Sequence, residues 1–188
     1  LGVQNSGKTT LFKALTKDDK ALAMKKAGLT QEALHRAFEN MEIYDMPGLY
    51  QEGYLHHVLP YGIYKDLIPD QEIKPRIYQL KDGQALMLEG LFGLSFHGDA
   101  INPILYLDSK VNIHKTQEAR IKPLLLEKEK HFKIFVDRYE DKAFKISEGL
   151  HQITFADMGF MHIKGPGLIK VTYPKGLHLS LSEALFND

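Results

Sequence analysis

The sequence begins with Leu1-Gly2-Val3-Gln4-Asn5-Ser6-Gly7-Lys8-Thr9-Thr10. This stretch fits the phosphate-binding pattern G-x-x-x-x-G-K-[ST] at every fixed position, namely Gly2, Gly7, Lys8 and Thr9. The spacing has a physical basis, because the two glycines let the loop turn so that successive backbone N–H groups point at phosphate oxygens. The alternative is a glycine turn that matches by chance. Because all fixed positions match and a helical pattern follows at once, we expect a nucleoside-triphosphate site.

The polar residues of this loop have expected roles at a triphosphate. Lys8 would place a positive charge on the β- and γ-phosphates, and the Thr9 hydroxyl would coordinate Mg²⁺. The helix that follows would direct the positive end of its dipole at the same anion. The expected nucleotide-binding residues are Gly2, Asn5, Ser6, Gly7, Lys8, Thr9 and Thr10.

The pattern that follows the loop predicts an amphipathic helix over residues 10–16, with Leu11, Phe12 and Leu15 able to face a sheet. A loop of this type is preceded by a β-strand, of which at most Leu1 is present. We therefore expect the chain to be a fragment that lacks its N-terminal part.

The composition is that of a globular protein with a buried core. Of 188 residues, 44% are hydrophobic and 26% charged, and the 24 basic and 24 acidic side chains cancel. There is no cysteine, which excludes disulfide-linked partners and thiolate metal sites. No apolar run approaches the roughly 20 residues that a membrane-spanning helix needs. We expect no membrane partner, and a cytoplasmic location fits.

A second phosphate-sensing motif is expected after a short strand. Residues 41–44 alternate as a strand does, and Asp45-Met46-Pro47-Gly48 follows at once. In this D-x-x-G pattern the Asp45 carboxylate can reach the metal shell, and the Gly48 N–H can meet a γ-phosphate. Between the two motifs, Thr30 is the candidate for a second Mg²⁺ hydroxyl, with an ordinary loop threonine as the alternative.

These motifs give two overlapping sets of expected residues. The expected catalytic residues are Lys8, Thr30, Asp45 and Gly48, and the expected Mg²⁺ ligands are Thr9, Thr30 and Asp45.

Beyond the second motif the pattern predicts a connector and then a strand-rich domain. We assign residues 1–58 to the nucleotide-binding part, 59–75 to the connector and 76–188 to the second domain. His56-His57 suggests a metal site, but a short packed helix is the better interpretation, because adjacent helical side chains point apart.

Short β-type runs and one charged helix are predicted in the second domain. Residues 76–80 and 85–89 predict a hairpin across Lys81-Asp82-Gly83. Residues 117–130 predict the helix, with Ile121, Leu124, Leu125 and Leu126 inside and Pro123 marking a kink or late start. Further strands are expected over 101–107, 110–114, 133–136, 143–146, 152–155, 159–163, 168–173 and 177–181, with turns at 157–159 and 165–167.

The base that the site would select is not settled by these motifs. Guanine selection needs [NT]-K-x-D downstream of D-x-x-G, and the residues after Gly48 do not contain it. Thr16-Lys17-Asp18-Asp19 matches the letters but lies at the end of the first helix. Two interpretations stay open: an NTPase that does not select guanine, or a GTPase whose guanine motif lies upstream.

A resemblance favours the second interpretation. The first loop, Ala27-Gly28-Leu29-Thr30 and Asp45-Met46-Pro47-Gly48 together resemble the Era-like (TrmE-Era class) GTPases. The stretches 59–69, 72–80 and 112–116 are similar to the YqeH group of circularly permuted GTPases of ribosome biogenesis. Ala27 departs from this family, which has proline there. The resemblance implies a permuted, N-terminally truncated α/β P-loop GTPase part followed by a strand-rich α+β C-terminal domain.

The resemblance also implies ligands and partners. It implies GTP or GDP with Mg²⁺, K⁺ held by Asn5, and the small ribosomal subunit and its rRNA as partners. Leu49, directly after Gly48, replaces a water-orienting glutamine, so slow intrinsic hydrolysis is expected. The RNA-binding candidates are Lys65, Lys74, Arg76, His114 and Lys115, with Tyr61, Tyr64 and Tyr78 available to stack on bases.

Two functions from different classes follow. The first is a GTP-driven switch in small-subunit assembly whose C-terminal domain contacts RNA. The alternative is a non-catalytic RNA- or protein-binding module with a vestigial nucleotide site. Intact Lys8, Thr9 and Asp45 favour the switch, because a decaying site usually loses one of them.

Overall fold

The computed structural model describes residues 8–17, 34–38, 41–45, 52–69, 71–98, 101–184 and 186. The chain divides into two compact units, residues 1–51 and residues 52–188. This division lies close to the expected end of the nucleotide-binding part, and it assigns the expected connector to the second unit.

The first unit contains one helix and a hairpin. Helix α1 spans Lys8–Thr16 and packs on strands β1 (Leu34–Phe38) and β2 (Met41–Asp45), which pair antiparallel. The predicted helix and the predicted strand at 41–44 are both confirmed, whereas β1 was not predicted. Phe12 is buried, but Leu11 and Leu15 are exposed, so only one of the three expected apolar contacts forms. Only two strands are described in this unit, and a two-stranded sheet covers only a narrow stripe of the helix surface.

The second unit is mostly antiparallel sheet. It begins with a 3₁₀ turn and a short helix, and two further helices follow strand β7. The helices are the 3₁₀ turn Leu55–His57, α2 (Tyr61–Tyr64), α3 (Glu118–Leu126) and α4 (Lys128–His131). The strands are β3 (Arg76–Ile77), β4 (Gln84–Leu88), β5 (Phe92–His97), β6 (Ile104–Leu107), β7 (Ile113–Gln117), β8 (Tyr139–Phe155), β9 (Gly159–Pro174) and β10 (Leu179–Glu183).

Strand β9 is the centre of this sheet. The order along the sheet is β10-β8-β9-β5-β4-β7, and β6 pairs with β9 and β3. One edge of β9 pairs with β8 over most of its length, and the other edge pairs first with β6 and then with β5. The expectation of a strand-rich C-terminal part is therefore confirmed.

The two longest strands contradict a predicted turn. Residues 165–167 have a turn-like composition, but they lie inside β9, and the strands predicted on either side are one strand. The register shifts between Ile146 and Gly149 of β8, so one extra residue bulges opposite this site. A side chain at Gly165 would collide with the Ser147 carbonyl, so here the glycine permits close strand approach rather than a reversal. The turn predicted at 157–159 is confirmed by the bond from the Met158 N–H to the Phe155 carbonyl.

The predicted hairpin between residues 76–80 and 85–89 is wrong. Strand β4 pairs with β5 on one edge and β7 on the other, while β3 pairs with β6. Ala85 through Leu88 are completely buried, as expected for a strand with neighbours on both edges. The turn at 81–83 does form, with the Gln84 N–H donating to the Lys81 carbonyl, but it does not pair the strands around it.

The predicted helix at 117–130 is divided between α3 and α4. Ile121, Leu124 and Leu125 are buried against Ala85 and Met87, as their spacing predicts. Leu126 was expected inside but is 85% exposed, because it points away from that face. Pro123 lies inside α3, so the predicted late start is wrong.

Some predicted strand limits also need correction. Residues 133–136 form only an isolated bridge, in which Phe135 pairs with Gly90. Strands β7 and β10 begin later than predicted.

The turn between β8 and β9 gives a test of this fold. Gly159 and Gly176 both have positive φ, +142° and +88°, but only a Cβ at Gly159 would collide with the Tyr106 carbonyl. We expect Gly159→Ala to lower the free energy of unfolding by about 1–3 kcal/mol more than Gly176→Ala, because overpacking adds to backbone strain. Urea denaturation followed by circular dichroism measures both. Equal effects would contradict the close approach of β6 to this turn.

Candidate functional site

The first unit places a helix start and a strand end at the two expected phosphate motifs. Helix α1 begins at Lys8, the lysine of the first motif, and β2 ends at Asp45, the aspartate of the second. The first turn of α1 contains no acidic side chain, so nothing there opposes an anion at the helix N-terminus. Because α1 packs on β2, these two elements belong to one packed unit.

The described residues include only part of the expected nucleotide site. Lys8, Thr9 and Thr10 form the first turn of α1, and Asp45 ends β2 opposite Leu34. Their backbone is described and their side chains are not. Gly2, Asn5, Ser6, Gly7, Thr30 and Gly48 lie outside the described residues. The ligand roles assigned to all of these residues remain predictions.

The exposed face of the β1–β2 hairpin carries its own polar cluster. The rings of His35 and Tyr44 stack with centroids 4.6 Å apart. Glu42 accepts a 2.9 Å hydrogen bond from the Tyr44 hydroxyl and lies 3.4 Å from His35 Nε2. Cross-strand pairs of this kind stabilise a hairpin and need no ligand to explain them.

The second unit brings most of the RNA-binding candidates near one loop, residues 108–112. Lys65 directly follows α2, and the neighbouring Asp66 lies 4.0 Å from Lys110 in this loop. His114 and Lys115 are exposed on β7, directly after the loop. Lys74 is exposed and precedes β3, which adjoins the same loop. We call Lys65, Lys74, Lys110 and Lys115 the basic surface, whereas His114 precedes Lys115 on β7 and therefore points to the opposite face of the sheet.

Arg76 has a structural contact instead of a free guanidinium. Its two terminal nitrogens donate to the Val111 and Asp108 carbonyls at 2.8 and 3.0 Å. Lys115 is also engaged, because its Nζ donates to the Gln79 carbonyl at 2.7 Å while the side chain stays exposed. Arg76 therefore stabilises the loop that presents Lys110.

The expected stacking tyrosines differ in exposure. Tyr64 is only 6% exposed, so no open ring face remains for a base, whereas Tyr61 is 36% exposed. Tyr78 is half-buried. Burial raises the pKa of Tyr61, and the neighbouring Tyr64 adds to that increase.

The segment that follows the second phosphate motif is anchored in the second unit. The His178 N–H donates to the Gly53 carbonyl at 2.7 Å, and the Leu55 N–H donates to Asp157 Oδ1 at 2.8 Å. Burial raises the pKa of Asp157, while the bond from Leu55 acts in the opposite direction. Gly53 lies five positions after Gly48 in the sequence, so the anchored segment begins close to the second motif along the chain.

Sequence reasoning missed a charged network that links α3 to the sheet. Glu118 accepts a 2.9 Å hydrogen bond from Lys170 and lies 3.2 Å from His97 Nε2. The Lys170 hydrogen bond is the main reason that the pKa of Glu118 is lowered, with a smaller contribution from His97. These residues lie on three different elements. The spacing of residues within one stretch of sequence therefore could not predict that they lie close together.

It also missed an aromatic cluster on the outer face of the sheet, formed by Tyr106, Phe160 and His162. A signal was present, since Phe160, His162 and Lys164 alternate with apolar residues along β9.

The described part of the chain has no group of three or more His, Asp or Glu placed to hold a metal ion. None of its helices is long and apolar enough to cross a membrane.

Comparisons with known proteins identify two similarities. Residues 1–80 match the family model described as 50S ribosome-binding GTPase. The chain is 26% identical over 204 aligned positions to the protein named "Uncharacterized protein YqeH" of Bacillus subtilis (strain 168). The alignment covers 98% of this chain and 55% of that relative, so the chain spans about half the length of the curated relative that it matches.

Proposed function

We propose that the chain is a YqeH-type GTPase that binds GTP with Mg²⁺ and hydrolyses it as a switch in ribosome assembly. The nucleotide-binding part of this proposal rests on the residues at which α1 begins and β2 ends. Helix α1 starts at the lysine of one phosphate motif, and β2 stops at the aspartate of the other. That arrangement is what a phosphate-binding loop and a γ-phosphate sensor require.

Each motif residue has a proposed part in the chemistry. Lys8 would neutralise the β- and γ-phosphates, Thr9 and Thr30 would bind Mg²⁺ through their hydroxyls, and Asp45 would complete the metal shell. The Gly48 N–H would contact the γ-phosphate and would change position when that phosphate leaves. Leu49 cannot orient the attacking water, so another group must supply that function, and a K⁺ ion held by Asn5 is proposed.

Removal of the Lys8 charge tests the nucleotide site. Lys8→Ala is expected to weaken GTP binding by more than about tenfold, because a charge-assisted contact contributes roughly 1.5–3 kcal/mol. Lys17→Ala is the matched control, since Lys17 is exposed just beyond the other end of α1. A titration with a fluorescent GTP analogue measures both. Equal affinities of the two variants would exclude the proposed site.

The proposed K⁺ ion gives a separate prediction about rate. Phosphate release by the full-length protein should increase when K⁺ replaces Na⁺ at constant ionic strength, and Asn5→Ala should abolish that increase. Gln4→Ala, one position earlier in the same loop, should retain it. If the wild-type rate is the same in both salts, K⁺ has no role.

The second unit is the proposed ribosome-contacting part. The basic surface supports this proposal, because several cationic side chains lie around one loop in a chain with no net charge. The matched family model is described as 50S ribosome-binding, and the small subunit is the partner that we propose from the motif resemblance. Both subunits therefore belong in the test.

The anchored segment supports a connection between nucleotide state and docking. Within a few residues of Gly48 along the sequence, the chain reaches a segment that the Gly53 and Leu55 hydrogen bonds hold in the second unit. Any displacement of Gly48 on loss of the γ-phosphate is therefore transmitted along a short covalent path. A binding module with a vestigial nucleotide site would show no such dependence.

Co-sedimentation with each purified ribosomal subunit tests the switch. Recovery of the full-length protein should differ between a GTP analogue and GDP, and binding should weaken steeply as salt is raised. Lys65→Gln combined with Lys74→Gln should flatten the dependence of log affinity on log salt by roughly 1–2, because fewer counterions are released. Arg76 is left intact in this design, because its loss would also free the loop at 108–112.

The control variant removes the same number of positive charges from another part of the second unit. Lys145→Gln combined with Lys175→Gln removes two exposed charges from the β8–β9 region and should leave the slope unchanged. Equal recovery with both nucleotides would favour the non-catalytic module. An equal slope in the two double variants would exclude the basic surface as the contact.

A further inference from the structure

One buried carboxylate of the second unit is not explained by core packing. Glu89 directly follows β4 and is only 4% exposed. Within the described ranges of the chain, this carboxylate pairs with no lysine, arginine or histidine. Burying a carboxylate without a cation costs free energy, so an apolar side chain at this position would suit the stability of the core better. The contacts of Glu89 indicate a different role.

The carboxylate of Glu89 holds Asn112, the last residue of the loop at 108–112. Its Oε1 accepts hydrogen bonds from the Asn112 backbone N–H and from Asn112 Nδ2, both at 2.8 Å. In the opposite direction, the Glu89 N–H donates to the Asn112 carbonyl at 2.9 Å. Hydrogen bonds to an ionised carboxylate are stronger than bonds between neutral groups. Glu89 therefore fixes both the backbone and the side chain of Asn112.

The backbone of Glu89 is itself fixed. Its φ is +48°, a left-handed conformation that residues other than glycine rarely adopt. The adjacent Gly90 donates its N–H to the Ile134 carbonyl at 2.8 Å and accepts a hydrogen bond from the Tyr139 hydroxyl. Strained conformations of this kind persist only where the surrounding structure holds them. Glu89 is thus a rigid support for the loop residue that it binds.

The same loop is held at its other end. Arg76 donates to the Asp108 and Val111 carbonyls, and the Val111 N–H donates to the Asp108 carbonyl at 3.0 Å. The buried Asp108 side chain accepts the Lys110 N–H at 2.9 Å. Lys110, whose side chain is exposed, therefore extends from a backbone that Arg76 fixes at one end and Glu89 at the other.

We propose that Glu89 is a positioning residue for ribosome docking, because it holds the loop at 108–112 in the conformation that presents Lys110 to an RNA phosphate. The proposal rests on the proposed function, since it takes the basic surface as the docking contact. Its physical basis is pre-organisation: a loop that already has its bound conformation loses less conformational entropy on binding. Loss of the Glu89 contact should therefore weaken docking without changing the number of phosphates that are neutralised.

Docking of the full-length protein on each ribosomal subunit, with a GTP analogue and across a salt series, tests this role. Glu89→Gln keeps the shape of the side chain and removes its charge. The dissociation constant should rise by about threefold to tenfold at every salt concentration, with an unchanged slope of log affinity against log salt. Lys110→Gln should instead flatten that slope by roughly 0.7–0.9. A purely electrostatic effect of Glu89 has the opposite sign, because loss of a negative charge would tighten binding to RNA.

A second variant and a matched control accompany Glu89→Gln. Asn112→Ala removes the Nδ2 donor at an exposed position without a change of charge, and it should weaken docking in the same way. Glu148→Gln makes the same exchange at an exposed position in the bulge of β8 and should dock at least as tightly as the wild type.

Hydrogen exchange followed by mass spectrometry supplies a measurement that needs no ribosome. In the free protein, the amides of residues 110–112 should exchange faster in Glu89→Gln and Asn112→Ala, because the loop opens more often. The amides of β9 should keep their wild-type rates, which distinguishes loop opening from general destabilisation. Glu148→Gln should leave both segments unchanged.

The outcomes separate this inference from the proposed function. The positioning role is overturned if Glu89→Gln docks as tightly as Glu148→Gln, if it changes the salt slope, or if loop exchange stays at the wild-type rate. A wild type that docks on neither subunit overturns the docking contact, and the role of Glu89 in docking with it. Docking that is equal with GTP analogue and GDP overturns the switch alone and leaves the positioning role intact.

Discussion

The antiparallel pairing of β9 is the interaction on which the larger unit depends. Its hydrogen bonds to β8 run over most of both strands, and its other edge is divided between β6 and β5. Among the described strands, the hydrogen-bonded pairing that links β3, β4 and β7 to β8 and β10 runs only through this strand. The close approach that this requires explains the glycines along it, because side chains at Gly159 and Gly165 would collide with neighbouring carbonyl groups.

Local sequence patterns predicted the helices and strands that depend on neighbouring residues in the sequence. The start of α1 and the strand before D-x-x-G could be predicted, because each adjoins a motif with a fixed geometry. The apolar face of α3 followed from the spacing of Ile121, Leu124 and Leu125. Strand partners could not be predicted in this way. Residues 81–83 do form a turn, yet β4 pairs with strands that follow it in the sequence, because its fully buried side chains require a central position.

The same limit applies to the site residues. Sequence identifies Arg76 as a cation and Tyr64 as an aromatic ring, but it does not show that one is bound to loop carbonyls and the other is buried. Conversely, the three rings of the outer face come from two strands that are far apart in the chain. Alternation along β9 indicated that Phe160 and His162 share a face, but Tyr106 joins them only through strand pairing.

The β8–β9 hairpin also has a consequence for the order of folding. Its two strands are joined by the short turn around Asp157 and Met158, so successive pairs can form outward from that turn with little loss of chain entropy. The pairs that β9 makes with β5 and β6 join residues much farther apart in the chain and must close longer loops. We therefore expect the hairpin to form early as a template and the β4–β5–β7 group to add to it later, during the slower, non-local stage of folding.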